Sequence, residues 1–237
     1  MSTSFGHSAR PSSRDPECVR EMFNRISGRY DFANHLLSAG CDFFWRKRAA
    51  GMVAEWRAPC ILDLASGSGD LALALQRKLP QAQITAADFS EEMLALAREK
   101  GVKQTVIADA LLLPFAPGSF DAVTVAFGLR NMRDWGAALR EMRRILTRNG
   151  HLLVLDFSLP KSEMLRVFYR FYLHEVLPRL CRLITRDAAA YEYLGASIET
   201  FPRGAAMCAL INGNGFTNAE AQALTGGIVS IYTGQAT

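Results

Sequence analysis

Three acids and one glycine turn carry the residue types that could do chemistry. In LDLASGSGDLA, Asp63 is followed by Gly67, Ser68 and Gly69, and the spacing on to Ala72 satisfies the loose G-x-G-x-x-G/A nucleotide pattern. Glycine lets a ligand approach backbone that a Cβ would shield, and free N–H groups at the start of the next helix favour an anionic group. Asp88 follows about 20 residues on, where a carboxylate can accept two hydrogen bonds from ribose hydroxyls. Asp109 closes a third apolar run, TVIAD, and is placed to meet an adenine amino group. One acid at a strand end is equally well explained as a cap for the following helix. Three at successive strand ends, beside a glycine turn, point to an adenosyl ligand.

The elements that would position these residues alternate in type. Short apolar runs (CILDL, QITAADF, TVIAD, FDAVTVAF, HLLVLDF) are separated by helical patterns in LALALQRKL, in EEMLALAREK after the N-cap residue Ser90, and in DWGAALREMRRIL, which Asn149-Gly150 ends. Five strands alternating with helices predict an α/β fold with a mostly parallel, doubly wound sheet. Past Phe157 the rhythm breaks. Residues 160–213 read as a helical insertion, and then NAEAQAL and GIVSIYTG, joined by Thr225-Gly226-Gly227, read as a hairpin that supplies a terminal antiparallel strand. The expected organisation is a disordered arm over 1–16, a helical lid over 17–59 and a ligand-binding core over 60–237.

Composition narrows the class. The 237 residues are 49% hydrophobic and 21% charged, with a formal net charge of +4, which permits an anionic partner without requiring nucleic acid. Cys18, Cys41, Cys60, Cys181 and Cys208 form no C-x-x-C pair, so neither a disulfide framework nor a metal cluster is expected. The first 15 residues lack an apolar signal region, and no run of 18 apolar residues occurs, so a cytoplasmic setting is expected. A short-chain nicotinamide enzyme would need Tyr-x-x-x-Lys, and no tyrosine here has a lysine four residues on. An Asn/Asp-Pro-Pro-Tyr element for base flipping is also missing. The acid inside the first strand and the terminal hairpin point instead to S-adenosylmethionine.

At FNRISGRYDFANHLLSAGCDFFWRKRA, LDLASGSGDLA, ADFSEEML, LPFAPGSFDAVTVAFGLRN, LLVLDFSLP, YEYLGASI and LTGGIVSIYTG the chain resembles a known family. It is similar to the class I S-adenosylmethionine-dependent methyltransferases, which have a Rossmann-like fold, and among them to the menaquinone/ubiquinone biosynthesis C-methyltransferases. The resemblance spans roughly Met22 to Gly234. It implies C-methylation of a polyprenyl quinol, demethylmenaquinol to menaquinol above all, with 2-methoxy-6-polyprenyl-1,4-benzoquinol as a related acceptor. It implies cofactor contacts from Asp63, Gly67, Ser68 (where the family usually has Thr) and Gly69. Asp88 matches the ribose-binding acid, Asp109-Ala110 the pair bracketing the adenine, and Tyr30 the lid residue over the cofactor. Ala126 stands where some members carry a cofactor-contacting Ser, so that contact is not carried over.

Methylating a quinol ring needs a carbon nucleophile, which loss of a phenolic proton creates by delocalising charge to the ortho carbon. A phenol titrates near 10, so ionising it at neutral pH costs about 4 kcal/mol. Arg130 is assigned to stabilising the developing phenolate and Asn131 to orienting the hydroxyl or a relaying water. Without the resemblance, pairing of Arg130 with a nearby carboxylate is the commoner meaning. Asp156 and His174 are both open as the base. Residues 164–177 (MLRVFYRFYLHEVL) carry Arg166, Arg170 and His174 along one stripe, which reads either as an ordinary core-packing helix or as a wall for a polyprenyl tail. Six basic and two acidic residues between Lys161 and Arg186 add the expectation of peripheral membrane contact. A homodimer is carried as an expectation, and no nucleic acid is. A methyltransferase acting on another phenol or lipid, and a non-catalytic cofactor-binding scaffold, are the alternatives.

Overall fold

The computed structural model describes residues 38, 40–176 and 188–237. A helix α1 (Cys41–Glu55) leads into β1 (Cys60–Leu64), α2 (Asp70–Lys78), β2 (Gln83–Asp88), α3 (Glu91–Glu99) and β3 (Gln104–Ile107). Then come β4 (Phe120–Ala126), a one-turn 3-10 segment (Leu129–Asn131), α4 (Trp135–Ile145) and β5 (Leu146–Phe157). The insertion holds α5 (Glu163–Phe171), a π-helical turn (Tyr172–Val176), α6 (Ala188–Thr200) and α7 (Ala205–Asn212) before the hairpin β6 (Phe216–Leu224) and β7 (Val229–Ala236).

All seven strands form one sheet in the order β3-β2-β1-β4-β5-β7-β6. The first five run parallel, and β7 enters antiparallel between β5 and β6. The expected α/β architecture, with its terminal antiparallel strand and hairpin, is the one observed. Because both faces are covered, the central strands read as continuous apolar runs rather than alternating ones. Alternate residues nonetheless serve different layers. Leu62, Leu64, Val123, Val125 and Val154 pack with α4 and α7 on one face, and Ile61, Ala86, Ala122, Leu153 and Leu155 pack with α1, α2 and α3 on the other. Asp63, Asp88 and Thr124 share the second parity, and this brings them to one side of the sheet.

Three boundaries differ from the sequence reading. Helix α4 ends at Ile145 because Leu146 already pairs with Phe120; Asn149, at φ 63, turns the chain inside β5, where the pairing jumps to His151 opposite Ala122. Strand β3 stops at Ile107, so Asp109 lies in the loop beyond it. The 160–213 region is not continuously helical, since the chain breaks at Phe201–Gly204 between α6 and α7. Ser90 does cap α3, its Oγ accepting from the Met93 N–H at 3.2 Å. Among the described residues no helix is long and apolar enough to cross a membrane.

Candidate active site

The glycine turn is stitched to the end of β2. Asp88 is buried, and its Oδ2 accepts from the Gly67 N–H at 2.8 Å while Oδ1 accepts from the Ser90 N–H at 3.0 Å. Burial pushes this carboxyl above its ordinary range, and the two amides offset part of the rise. Each oxygen keeps a lone pair for a further donor. Gly69 sits at φ 82, and a Cβ there would stand 2.6 Å from Val102 Cγ2 and 2.9 Å from Ala97 Cβ. Packing of the turn onto α3 and the loop after it therefore demands a glycine here, a requirement the sequence argument did not include. Ser68 is buried and accepts a hydrogen bond from Lys100 Nζ at 2.9 Å, and the same ammonium bonds Asp70 Oδ1 at 2.8 Å.

Asp63 is fully buried beside this turn. Parallel register sets it opposite Thr124, whose hydroxyl donates to Oδ1 at 2.8 Å. Burial lifts the carboxyl to about 7, against the downward pull of Thr124 and of the Arg46 guanidinium on α1. Its Oδ2 and the nearby Ser66 Oγ are buried with no hydrogen-bond partner among the described residues. Such orphans are uncommon and mark a place where a further polar group fits. Asp109 is exposed and its Oδ1 accepts from the Leu111 N–H at 2.9 Å, while the neighbouring Ala108 N–H donates to Asp88 O at 2.9 Å. Half-buried Ala110 packs on the core below. Tyr30 lies outside the described residues.

Across the sheet, β4 runs into Phe127, a bulky residue held at φ 59, then Gly128 and the Arg130-Asn131 turn. A left-handed phenylalanine costs of the order of 1–3 kcal/mol, which surrounding structure must over-determine. Here the Phe127 N–H donates to Leu155 O at 2.7 Å, and the ring meets Phe157 at 4.7 Å and Trp45 at 6.1 Å between centroids. Gly128 presses on the first turn, where an added Cβ would stand 2.5 Å from Ala65 Cβ. Arg130 is buried and paired with Asp156 at the end of β5, Nη1 to Oδ1 at 2.8 Å, with Nη1 donating also to Phe127 O. Its guanidinium lies 5.2 Å over the Phe157 ring. Burial raises the Asp156 carboxyl and Arg130 opposes the rise. Asp156 accepts from the Phe157 N–H at 2.8 Å and from the Arg130 N–H at 3.3 Å, so both its oxygens are engaged. The Asn131 amide donates to Phe127 O at 3.4 Å. His174 is exposed and faces Glu199 at 3.4 Å.

The structure thus gathers Asp63, Gly67, Ser68, Gly69 and Asp88 at one turn, sets Asp109-Ala110 beside Asp88, and joins Arg130-Asn131 to them through the Gly128–Ala65 contact. Sequence reasoning missed Thr124, Ser66 and Arg46. They enter through strand register or helix packing, and nothing in the linear sequence signals them. Tyr169 is the one α5 side chain that is buried.

The comparisons bear on the family and the fold. Residues 11–236 match the model of the ubiE/COQ5 methyltransferase family. A demethylmenaquinone methyltransferase from Thermus thermophilus is 44% identical over 218 residues, covering 90% of this chain and 99% of that protein. One from Deinococcus radiodurans is 41% identical over 92% of each chain. The ubiquinone/menaquinone biosynthesis C-methyltransferase UbiE of Geotalea uraniireducens is 40% identical over 92% of this chain and 96% of its own. In fold, a SAM-dependent methyltransferase from Thermotoga maritima superposes with a TM-score of 0.65 at 17% identity, covering 92% of this chain and 100% of its own. Human N-acetylserotonin methyltransferase superposes at 0.60 with 19% identity, over 90% of this chain and 57% of its own. The seven-stranded class I methyltransferase sheet, the site built on its strand ends and the match along almost the whole sequence lead to one assignment: the chain belongs to the ubiE/COQ5 methyltransferase family.

Proposed function

We propose that the protein transfers a methyl group from S-adenosylmethionine to a ring carbon of a polyprenyl quinol, demethylmenaquinol to menaquinol foremost and 2-methoxy-6-polyprenyl-1,4-benzoquinol as a related acceptor. The observation that carries the reading is the buried cation Arg130, held on Asp156, two residues after the Gly128 that packs against Ala65 at the start of the glycine turn.

The residues present fit the cofactor. Asp63 Oδ2 and Ser66 Oγ are orphaned polar atoms at the turn, suited to its charged amino-acid end. Asp88 would hold the ribose hydroxyls, Asp109 and Ala110 the adenine, and Gly67-Ser68-Gly69 the chain between them. When bound, the cofactor supplies an electrophilic methyl group. The chain's own work is to make the acceptor ring nucleophilic and keep water away. Arg130 spends Nη1 on Asp156 and Phe127, which leaves the buried Nε without a partner among the described residues. A cation so fixed, in a site walled by Phe127, Phe157 and Trp45, stabilises negative charge on a ring oxygen without reorganising. Asp156, with both oxygens occupied, positions Arg130 rather than taking a proton, and Asn131 orients the acceptor from the same turn.

The substrate's tail places the reaction near a lipid surface. On α5, Met164, Leu165, Val167, Phe168 and Phe171 are exposed, an apolar face flanked by Lys161, Arg166 and Arg170. This face is the surface for peripheral membrane contact on the cytoplasmic side; self-association through it is the competing use, separated by sizing the protein without lipid.

An anaerobic assay with labelled S-adenosylmethionine, a demethylmenaquinol and the benzoquinol tests the reading, with Arg130→Lys alongside. Label in either quinol ring, reduced at least tenfold in the variant, is expected. Cofactor binding with no label in either product would retire the quinol assignment.

A further inference from the structure

The hairpin turn Thr225-Gly226-Gly227 holds three successive left-handed residues, at φ 47, 67 and 93. Glycine takes that conformation freely, but a β-branched threonine there is an outlier that its surroundings must hold in place. The turn lies at the active-site end of the sheet, because β7 runs antiparallel to β5 and sets Val229 opposite Phe157. It is fastened on both sides. The Ser158 N–H donates to Ile228 O at 2.8 Å, and a Cβ on Gly227 would stand 3.2 Å from Pro160 Cα. What threonine brings that glycine could not is a hydroxyl. Thr225 Oγ1 accepts from the buried Trp45 Nε1 at 2.8 Å, across 180 residues of sequence. A buried indole N–H needs such a partner.

From Trp45 the contacts lead to the Arg130 turn. The indole ring meets Phe127 at 6.1 Å and, edge-on, Phe157 at 6.3 Å between centroids, and those two rings meet each other at 4.7 Å. Arg130 rests on the same two residues: Nη1 donates to Phe127 O, and the guanidinium lies 5.2 Å over the Phe157 ring. Asp156 supplies the countercharge, and the two aromatic residues limit where the cation can lie. We infer that Thr225 is a positioning residue for methyl transfer: its hydroxyl fixes the Trp45 indole, which through Phe127 and Phe157 sets where the Arg130 guanidinium meets the acceptor. This rests on the quinol reading above and deepens it. The strained backbone at Thr225 then has a reason, since it puts a hydrogen-bond acceptor where glycine would otherwise serve. It also gives LTGGIVSIYTG, a segment the cofactor contacts leave unexplained, a part in the reaction.

Three substitutions separate the hydroxyl from the fold. Thr225→Val removes the acceptor and keeps the shape, Thr225→Gly removes it and relieves the backbone, and Thr225→Ser keeps it. A cation displaced by up to about 1 Å corresponds to about 10- to 100-fold in rate. Thr225→Val and Thr225→Gly should lose that much in kcat for a demethylmenaquinol, with KM and the dissociation constant for S-adenosylmethionine within about twofold of wild type. Thr225→Ser should restore kcat. Thr225→Gly should melt no lower than Thr225→Val, because the left-handed backbone suits glycine. In proton–nitrogen correlation spectra the Trp45 indole resonance, identified by its loss in Trp45→Phe, should move upfield in Thr225→Val and Thr225→Gly and return in Thr225→Ser. Unaltered kcat in Thr225→Val and Thr225→Gly overturns this inference and leaves the quinol reading standing. A loss of kcat that tracks Tm, comes with weakened cofactor binding or is not restored by Thr225→Ser also overturns it, since the hydroxyl would then serve the fold. Absence of quinol methylation by the wild type removes the quinol reading, and this inference with it.

Discussion

Two buried carboxylates in this molecule answer to different neighbours. Asp156 is neutralised by Arg130, and cutting one side of such a pair leaves a charge stranded in the interior, at about 3–5 kcal/mol. Arg130→Met should lose that much in urea unfolding, and Arg130→Met combined with Asp156→Leu should lose less than the single change, while both are inactive. A double variant no more stable than the single one would show that the pair does not act as a unit. Asp63 has no such cation in contact, and burial lifts it to about 7 against an unfolded value near 3.9. Between those values the folded protein keeps a proton that the unfolded chain has released, so wild-type stability falls as pH rises through this window, by up to about 4 kcal/mol. Asp63→Asn cannot ionise. Its Tm relative to wild type should climb from pH 4 to pH 7 and then level off, as calorimetry at stepped pH would record; a difference that does not vary with pH would return Asp63 to ordinary acidity.

At the scale of elements, the strands and most helices are legible because apolar runs, a serine cap and glycine turns each write a local signal. Register is not local. Nothing in CILDL or FDAVTVAF says that Asp63 will face Thr124, nor that Arg130 will meet Asp156 from the next strand, because both pairs depend on strand order. Ala65 at φ 52 and Phe127 at φ 59 are likewise invisible, since neither type favours a left-handed backbone and tertiary packing alone holds them there. The motif Gly-Leu-Arg-Asn is visible, but its glycine is needed for a neighbour 63 residues away in sequence, Ala65, rather than for its own φ. Gly128→Ala should drive the two turns apart at about 1–3 kcal/mol, lowering Tm and weakening both cofactor binding and turnover. Unchanged melting and binding would mean that the contact with Ala65 is slack.

The whole molecule divides its labour by face and end. One end of the sheet carries the acids and Arg130, and a cavity of about 590 Å³ lined by Cys60, Gln83, Lys103 and Phe120 opens at the other, where the strands begin. That location sets Cys60 apart from the chemistry. The exposed apolar face of α5, proposed above for lipid contact, lies on a helix with a single buried side chain, Tyr169. Phe168→Ser with Phe171→Ser should abolish co-flotation with anionic vesicles and slow turnover of a long-tailed quinol in them, yet leave turnover of a short-tailed quinol in solution within about twofold. Retained flotation would move the lipid surface elsewhere. The Gly128–Ala65 contact, finally, works as a fixed gauge: on the proposed function, the donor and charge-stabilising turns cannot be re-spaced separately, so new acceptors must be admitted by redrawing the inserted helices. Exchanging residues 160–213 between relatives should therefore transplant acceptor choice while the donor side carries on undisturbed.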